Sequence, residues 1–240
     1  MGVRVQVESH IATITLDRPE AGNAIDQATA HALSVSLGNA DADDTVRVII
    51  ISGAGGTFST GMDLAAFSRG ELFHSPTNGF AGVTRRVLKK PLIAAVEGQA
   101  LAGGFEIALA CDLIVAAEDA RFGLTQMQIG LLPDAGGLIR LQRQLPAKIA
   151  AELVLTGETV SSALLASLGL LNRVVPRGEA LPVARQLAAH IVANDALAVE
   201  VAKRVVRESE DWSATEMFDR QNEITAPLFD AARARRFSVS

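Results

Sequence analysis

The sequence predicts an α/β fold. Short apolar runs at Val46–Ile51, Leu92–Val96 and Leu113–Ala117 read as buried strands, the first of them strongly β-branched. Helical segments separate them, and this alternation favours a sheet with much parallel pairing. From about Ala135 onward strands become scarce and helices dominate.

In chain order, Val3–Val7 and Ile11–Leu16 read as two short strands around the turn Glu8-Ser9-His10. Asp26–Ala40 is helical in character, with Ala28, Ala32, Leu33, Val35 and Leu37 as its apolar positions. Val46–Ile51 runs into a glycine-rich turn, Gly53-Ala54-Gly55-Gly56. The segment Gly70–Gly82 mixes Gly, Ser, Pro and Asn with little periodicity and is expected to form a mobile loop. In the last third, Ala147–Thr156, Ser161–Leu168, Glu179–Ala193, Ala196–Ser209 and Thr215–Ala232 read as helices. Gly157 and Gly169 stand where helix C-termini favour glycine.

Composition narrows the function classes. With 240 residues, 49% of them hydrophobic and 20% charged, the chain can bury a sizeable core as a soluble globular protein. A net charge of −5 argues against a broad nucleic-acid surface. An anionic ligand stays possible, since a few cations and backbone N–H groups suffice to hold one. The most apolar region, Pro91–Ala117, is interrupted by Glu97, Gln99, Glu106 and Asp112, so no membrane span is expected. Gly2–Val7 lacks the basic start and long apolar run of a secretory leader. The single cysteine, Cys111, lies in an apolar helical run and is expected to be a buried small hydrophobe. Together these features lead to the expectation of a cytoplasmic location.

Chemistry is concentrated in Ala100–Asp112. There Gly103 and Gly104 open an apolar helix that carries Glu106 in its first turn. Glycine permits close approach to the backbone, and a helix N-terminus offers unpaired N–H groups at its positive end. A developing oxyanion can rest there, with a carboxylate within reach to move a proton. Other patterns are missing. His10, His31, His74 and His190 make no metal motif, no Gly-x-Ser-x-Gly elbow exists, and the turn at Gly53 lacks full dinucleotide-loop spacing.

Three further segments complete an ordered set: Arg18-Pro19-Glu20-Ala21-Gly22-Asn23-Ala24-Ile25, Thr57-Phe58-Ser59-Thr60-Gly61-Met62-Asp63-Leu64, and the run from Phe122-Gly123 to Pro133-Asp134-Ala135-Gly136-Gly137. With Ala100–Asp112 they resemble the crotonase superfamily, the enoyl-CoA hydratase/isomerase group, from about residue 3 to about residue 225. The resemblance implies a spiral of ββα units with a helical C-terminal region. It divides the chain into a spiral core over residues 1–190 and a helical trimerisation region over 191–240, in a homotrimer or dimer of trimers. It implies an acyl-CoA substrate and no cofactor or metal, CoA being part of the substrate.

Carried over residue by residue, the resemblance places the oxyanion-hole amides on Met62 and Gly103. It assigns CoA contacts to Ala24, Thr60, Asp63, Leu64 and Ala65, mostly through main-chain atoms. Hydratases of this group use two glutamates. The first matches Glu106, but the second falls on Gln126, whose amide cannot serve as an acid or base at neutral pH. Some isomerases of the group place an aspartate eight residues further on, which here is Asp134. Double-bond isomerisation is therefore preferred over efficient hydration, with Glu106, Asp134 and Gln126 as the reaction-centre residues. The alternatives are a hydratase using Glu106 with Gln126, and a non-catalytic acyl-CoA binder. Asp134 also reads as a helix N-cap ahead of Ala135-Gly136-Gly137. The basic run Arg85, Arg86, Lys89 and Lys90 reads as a solvated face. The segment Pro227–Phe237 departs from the aromatic and basic tail of the group, so tail contacts to CoA are not carried over.

Overall fold

A computed structural model describes residues 2–237, without the side chains of residues 231, 232 and 234–237. The first strands, β1 (Val3–Glu8) and β2 (Ile11–Leu16), form an antiparallel hairpin. Helix α1 (Gln27–Ala42) follows, capped by Asp26, which accepts the Thr29 N–H at 2.7 Å. Next come β3 (Val48–Gly53), the short α2 (Leu64–Ser68) and the two-residue strands β4 (His74–Ser75) and β5 (Gly79–Phe80). The centre of the chain holds β6 (Leu92–Val96), β7 (Gln99–Leu101), α3 (Gly103–Ala110), β8 (Leu113–Ala117) and β9 (Arg121–Gly123). Then follow α4 (Gly137–Gln144), α5 (Ala147–Thr156), β10 (Val160–Ser161), α6 (Ser162–Ser167) and β11 (Arg173–Val175). The chain closes with α7 (Ala180–Val192), α8 (Ala196–Glu208) and α9 (Met217–Phe237).

Six strands make the main sheet in the order β1-β2-β3-β6-β8-β11, parallel from β2 onward. Alternation along β3 shows why its sequence is apolar throughout. Ile49 and Ile51 enter the larger core with α1 and α3, while Val48 and Ile50 face α7 on the opposite side. Ala180, Ala184 and Ala188 recur every fourth residue on α7, and their small side chains bring the helix close to the sheet.

A smaller sheet, β10-β9-β7, runs beside the main one, and Ser59 extends it through a bridge to Ala100. Each turn of the chain thus adds one strand to the large sheet and one extended segment to the small one before turning into a helix. The segments β6–β7–α3 are the plainest case. This is the spiral of ββα units.

Several expectations shift in detail. The third strand starts at Val48 because the Val46 N–H closes a turn onto Asp43. Gly70–Gly82 contains the β4–β5 hairpin, and the Ala81 N–H donates to the Phe73 carbonyl at 2.8 Å, leaving Phe80 buried. The basic run is not one solvated face. Lys90 is buried with its Nζ on the Ala40 and Asp43 carbonyls, and Arg86 donates to Ser34 and to the Gly82 carbonyl. Only Arg85 and Lys89 of the four are exposed. No helix among the described residues is long and apolar enough to cross a membrane. Residues 238–240 of the expected trimerisation region lie outside the described residues.

Candidate active site

A cleft of about 860 Å³ opens where the N-terminus of α3 meets the loop before α2. Two close approaches build this junction. A Cβ on Gly61 would lie 2.6 Å from the Gly103 nitrogen, and one on Gly104 would lie 2.2 Å from the Ser59 carbonyl oxygen. Only glycine lets the Met62 and Gly103 loops converge this far. Gly61 has φ +89°, a conformation that suits glycine for the same reason.

The Met62 loop is held from behind. Ile25 bridges to Met62, donating its N–H to the Gly61 carbonyl at 2.7 Å and accepting the Asp63 N–H at 2.9 Å. Ser59 Oγ donates to the Asn23 carbonyl (2.9 Å) and accepts the Gly61 N–H (3.1 Å). Asn23 Nδ2 in turn donates to the Ala54 and Thr57 carbonyls at 2.9 and 2.8 Å. The Arg18 guanidinium reaches the Ala24 carbonyl, Asp63 and Asp26. The Ala66 N–H that Asp63 caps, and then Arg18, hold the Asp63 carboxyl below the usual carboxylate range against the opposing effect of burial. These bonds explain why the sequence carries Arg18, Asn23 and Asp63 around the Met62 loop.

Across the cleft, Ala102 adopts φ 50° and ψ −123°, a conformation that costs a non-glycine residue about 1–3 kcal/mol. Its N–H donates to the Gly123 carbonyl at 2.8 Å, which turns the chain sharply into α3. Met62 and Gly103 both line the cleft. Among the described residues, neither N–H bonds to a backbone acceptor outside its own element. Phe80 packs beneath Gly103, where a Cβ would fall 2.6 Å from its ring.

Glu106 is 2% exposed. Its Oε1 accepts the Gly137 N–H at 2.8 Å, and its Oε2 accepts Gln126 Nε2–H at 2.9 Å. Burial dominates its titration and pushes the carboxyl up to about 7. The nearby Asp134 charge acts in the same direction, while the Gly137 N–H and Arg140 oppose it. A carboxyl in this range exchanges protons readily in either direction at neutral pH. Gln126 Oε1 is buried and has no hydrogen-bond partner among the described residues.

Asp134 is exposed on the cleft wall and does not cap a helix. Helix α4 starts at Gly137 with Gly136 as its N-cap, two residues too late for the Asp134 side chain. The capping expectation is thereby corrected. Of the other expected residues, Ala24, Thr60, Asp63 and Leu64 line the cleft, but Ala65 does not. Helical rotation after Leu64 carries Ala65 off the wall, where it is solvent-exposed. The structure adds residues that no spacing had singled out. Phe67, Ile129 and Leu132 form an exposed apolar mouth, and His74 stacks edge-on against Phe80 at 5.4 Å. No group of three or more potential metal ligands exists among the described residues. Cys111 is buried, and burial raises its thiol well above the usual range.

Comparison with known proteins agrees with this architecture. The family model for enoyl-CoA hydratase/isomerase matches residues 6–236. A carnitinyl-CoA dehydratase of Salmonella enteritidis is 43% identical over 210 residues, which cover 86% of this chain and 80% of that protein. The crystal structure of an enoyl-CoA hydratase from Mycobacterium marinum superposes with a TM-score of 0.95 at 44% identity, covering 99% of this chain and 94% of the other. A carnitinyl-CoA dehydratase from Mycobacterium avium superposes with a TM-score of 0.84 at 39% identity, covering 94% and 90% of the two chains. With its spiral of ββα units, its paired glycine loops and a buried carboxyl at their junction, this chain is a crotonase-fold enzyme and belongs to the enoyl-CoA hydratase/isomerase family.

Proposed function

We propose that this enzyme adds water to, and removes it from, acyl-CoA thioesters at the carbons next to the thioester, with Glu106 as the proton carrier. The observation that carries this reading is the position of Glu106. It lies one helical turn from the Gly103 amide, in the cleft that Met62 also lines. The thioester oxygen would accept the Met62 and Gly103 N–H groups, and the positive end of α3 would favour the enolate. Each such donor typically contributes about 2.7–4 kcal/mol to lowering the barrier. In dehydration, Glu106 takes the C2 proton and returns a proton to the departing C3 hydroxyl, releasing water. Hydration is the reverse. Proton movement suffices for both, so the chemistry needs no group beyond the CoA of the substrate. Ala24, Thr60, Asp63 and Leu64 would flank the CoA portion along the cleft wall beside the start of α2. The dehydratase and hydratase names of the relatives support the same direction of chemistry.

Double-bond isomerisation is the second reading, favoured by Asp134. That carboxylate faces the cleft, bonds to no helix terminus, and lies close enough to influence Glu106. Two carboxyls could then serve two carbons, with Gln126 in place of a second glutamate. Product mass distinguishes the readings, because hydration adds the mass of one water and isomerisation adds nothing. A panel of 2-enoyl, 3-enoyl and dienoyl thioesters is expected to show water uptake by the 2-enoyl substrate. Asp134→Asn should leave that reaction nearly unchanged, whereas an isomerase would lose about 10²–10⁴-fold of its rate. Stability should barely change, since Asp134 is exposed and caps nothing. No turnover of any thioester by well-folded protein would refute both readings.

A homotrimer or a dimer of trimers is proposed as the working assembly. Helix α8 buries no residue within the chain, and Leu197, Val206, Phe218 and Phe229 stand exposed along α8 and α9. Partner copies would cover these side chains. Light scattering at micromolar concentration is expected to give at least three chains per particle. A stable monomer would contradict it. A cytoplasmic location suits the single buried thiol.

A further inference from the structure

We propose that Gln126 is a positioning residue that serves both protonation states of Glu106, turning its amide by half a rotation as Glu106 gains or loses a proton. This deepens the reading of Glu106 as the proton carrier.

Glu106 meets two donors, the Gly137 N–H on Oε1 and Gln126 Nε2–H on Oε2. Both suit the carboxylate. The neutral acid must place its hydrogen on one of these oxygens. Oε1 faces a backbone N–H, which cannot accept a hydrogen bond. The proton therefore belongs on Oε2, opposite Gln126. In the present orientation it would meet the amide hydrogens of Nε2.

The opposite end of the same amide resolves this conflict. Gln126 Oε1 is buried and unpartnered, an arrangement that is unfavourable in a permanent structure. Rotation about the last side-chain torsion, which has a broad and roughly two-fold profile, exchanges Oε1 with Nε2. Oε1 then accepts the Oε2–H of the acid, and Nε2 turns toward the place Oε1 occupied. Glu106 keeps one matched partner before and after each proton transfer. A glutamate at position 126 would oppose the carboxylate with a like charge, and an apolar side chain would partner neither state. The other charged groups near Glu106 are Asp134 and Arg140. Arg140 donates to the Thr84 carbonyl, and neither group makes a hydrogen bond to Glu106 in the described structure.

Infrared titration of the substrate-free protein tests the idea without any turnover. The Glu106 carboxyl band is isolated by subtracting the spectrum of Glu106→Gln. If Gln126 only donates, Gln126→Met removes a charge-assisted bond from the carboxylate alone, and the Glu106 midpoint should rise by about one pH unit or more. If Gln126 serves both states, each state loses a bond, and the midpoint should rise by less than about half a pH unit. The carbonyl band of the neutral acid should also move to higher frequency in Gln126→Met, because its O–H has lost an acceptor. Gln126→Leu provides the same readings should the Met variant not fold. A larger rise of the midpoint, or an unmoved acid band, overturns the proposal. Because substrate is absent, failure here is separate from failure of the thioester assays.

Discussion

Glu106→Gln is expected to lower kcat/KM for hydration by about 10²–10⁴-fold while making the protein more stable at alkaline pH. The two effects share one cause. Burial lifts the Glu106 carboxyl from 4.5 to about 7 in the folded protein. A group raised on folding contributes its stability below its unfolded value and loses that contribution as pH rises through the folded value. For wild type the loss therefore runs from about pH 4.5 to about pH 7 and reaches about 3 kcal/mol. Glutamine cannot ionise, so the variant escapes it. The new amide would also keep the Gly137 N–H on its carbonyl, and Gln126 Oε1 could accept from its NH₂ group. Denaturant unfolding at pH 4 and pH 9 should show the variant's stability relative to wild type improving by about 3 kcal/mol between the two. A difference that does not change with pH would mean that Glu106 titrates in the fold as it does in the unfolded chain. The same titration appears in activity. Both directions begin with Glu106 as the carboxylate, which takes a proton from water in hydration and from C2 in dehydration, so kcat/KM should rise with pH through about 7 in both.

Gly61→Ala should damage the oxyanion hole itself. The new Cβ would sit 2.6 Å from the Gly103 nitrogen and 3.0 Å from both the Ala102 Cβ and the Leu101 carbonyl oxygen, at φ +89°. The Met62 and Gly103 loops must then move apart, and at least one donor loses its place. Losing one such donor lowers kcat by about 10²–10³-fold, and the backbone strain adds about 1–3 kcal/mol of destabilisation. Gly70→Ala is the control. Its φ of +80° imposes similar strain, but no atom lies within 4 Å of the added Cβ. It should lose some stability and keep its activity. Equal activity in the two variants would remove the Met62–Gly103 pair from the mechanism.

Much of this was legible in the sequence wherever local physics acts alone. The runs Ile11–Leu16, Leu92–Val96 and Leu113–Ala117 are strands with the expected bounds, because both faces of a central strand are buried and every position is apolar or nearly so. Helix α5 likewise ends at Gly157, whose φ of 64° forms the C-cap. Glu106 in the first turn of α3 follows from the paired glycines and the apolar helix behind them. Strand β11 was not legible. It has three residues, two of them exposed, and exists only because β8 offers it an edge.

What the sequence determined by itself was the α/β class, the order of the glycine loops and the identity of the buried carboxyl, since each depends on residues near one another in the chain. What only the tertiary structure decided was how distant residues meet. Gly61 and Gly103, far apart in the chain, converge because neither carries a side chain to keep them apart. Asp134 misses the helix cap by two residues and so stays on the open cleft wall. Lys90, a surface cation by its neighbours, is buried because carbonyls from the end of α1 and from Asp43 satisfy its ammonium group. Gln126 finds Glu106, 20 residues away, only when the segment after β9 folds back against α3. Hydrogen bonding and burial depend on which groups share a volume, and chain folding alone brings them there.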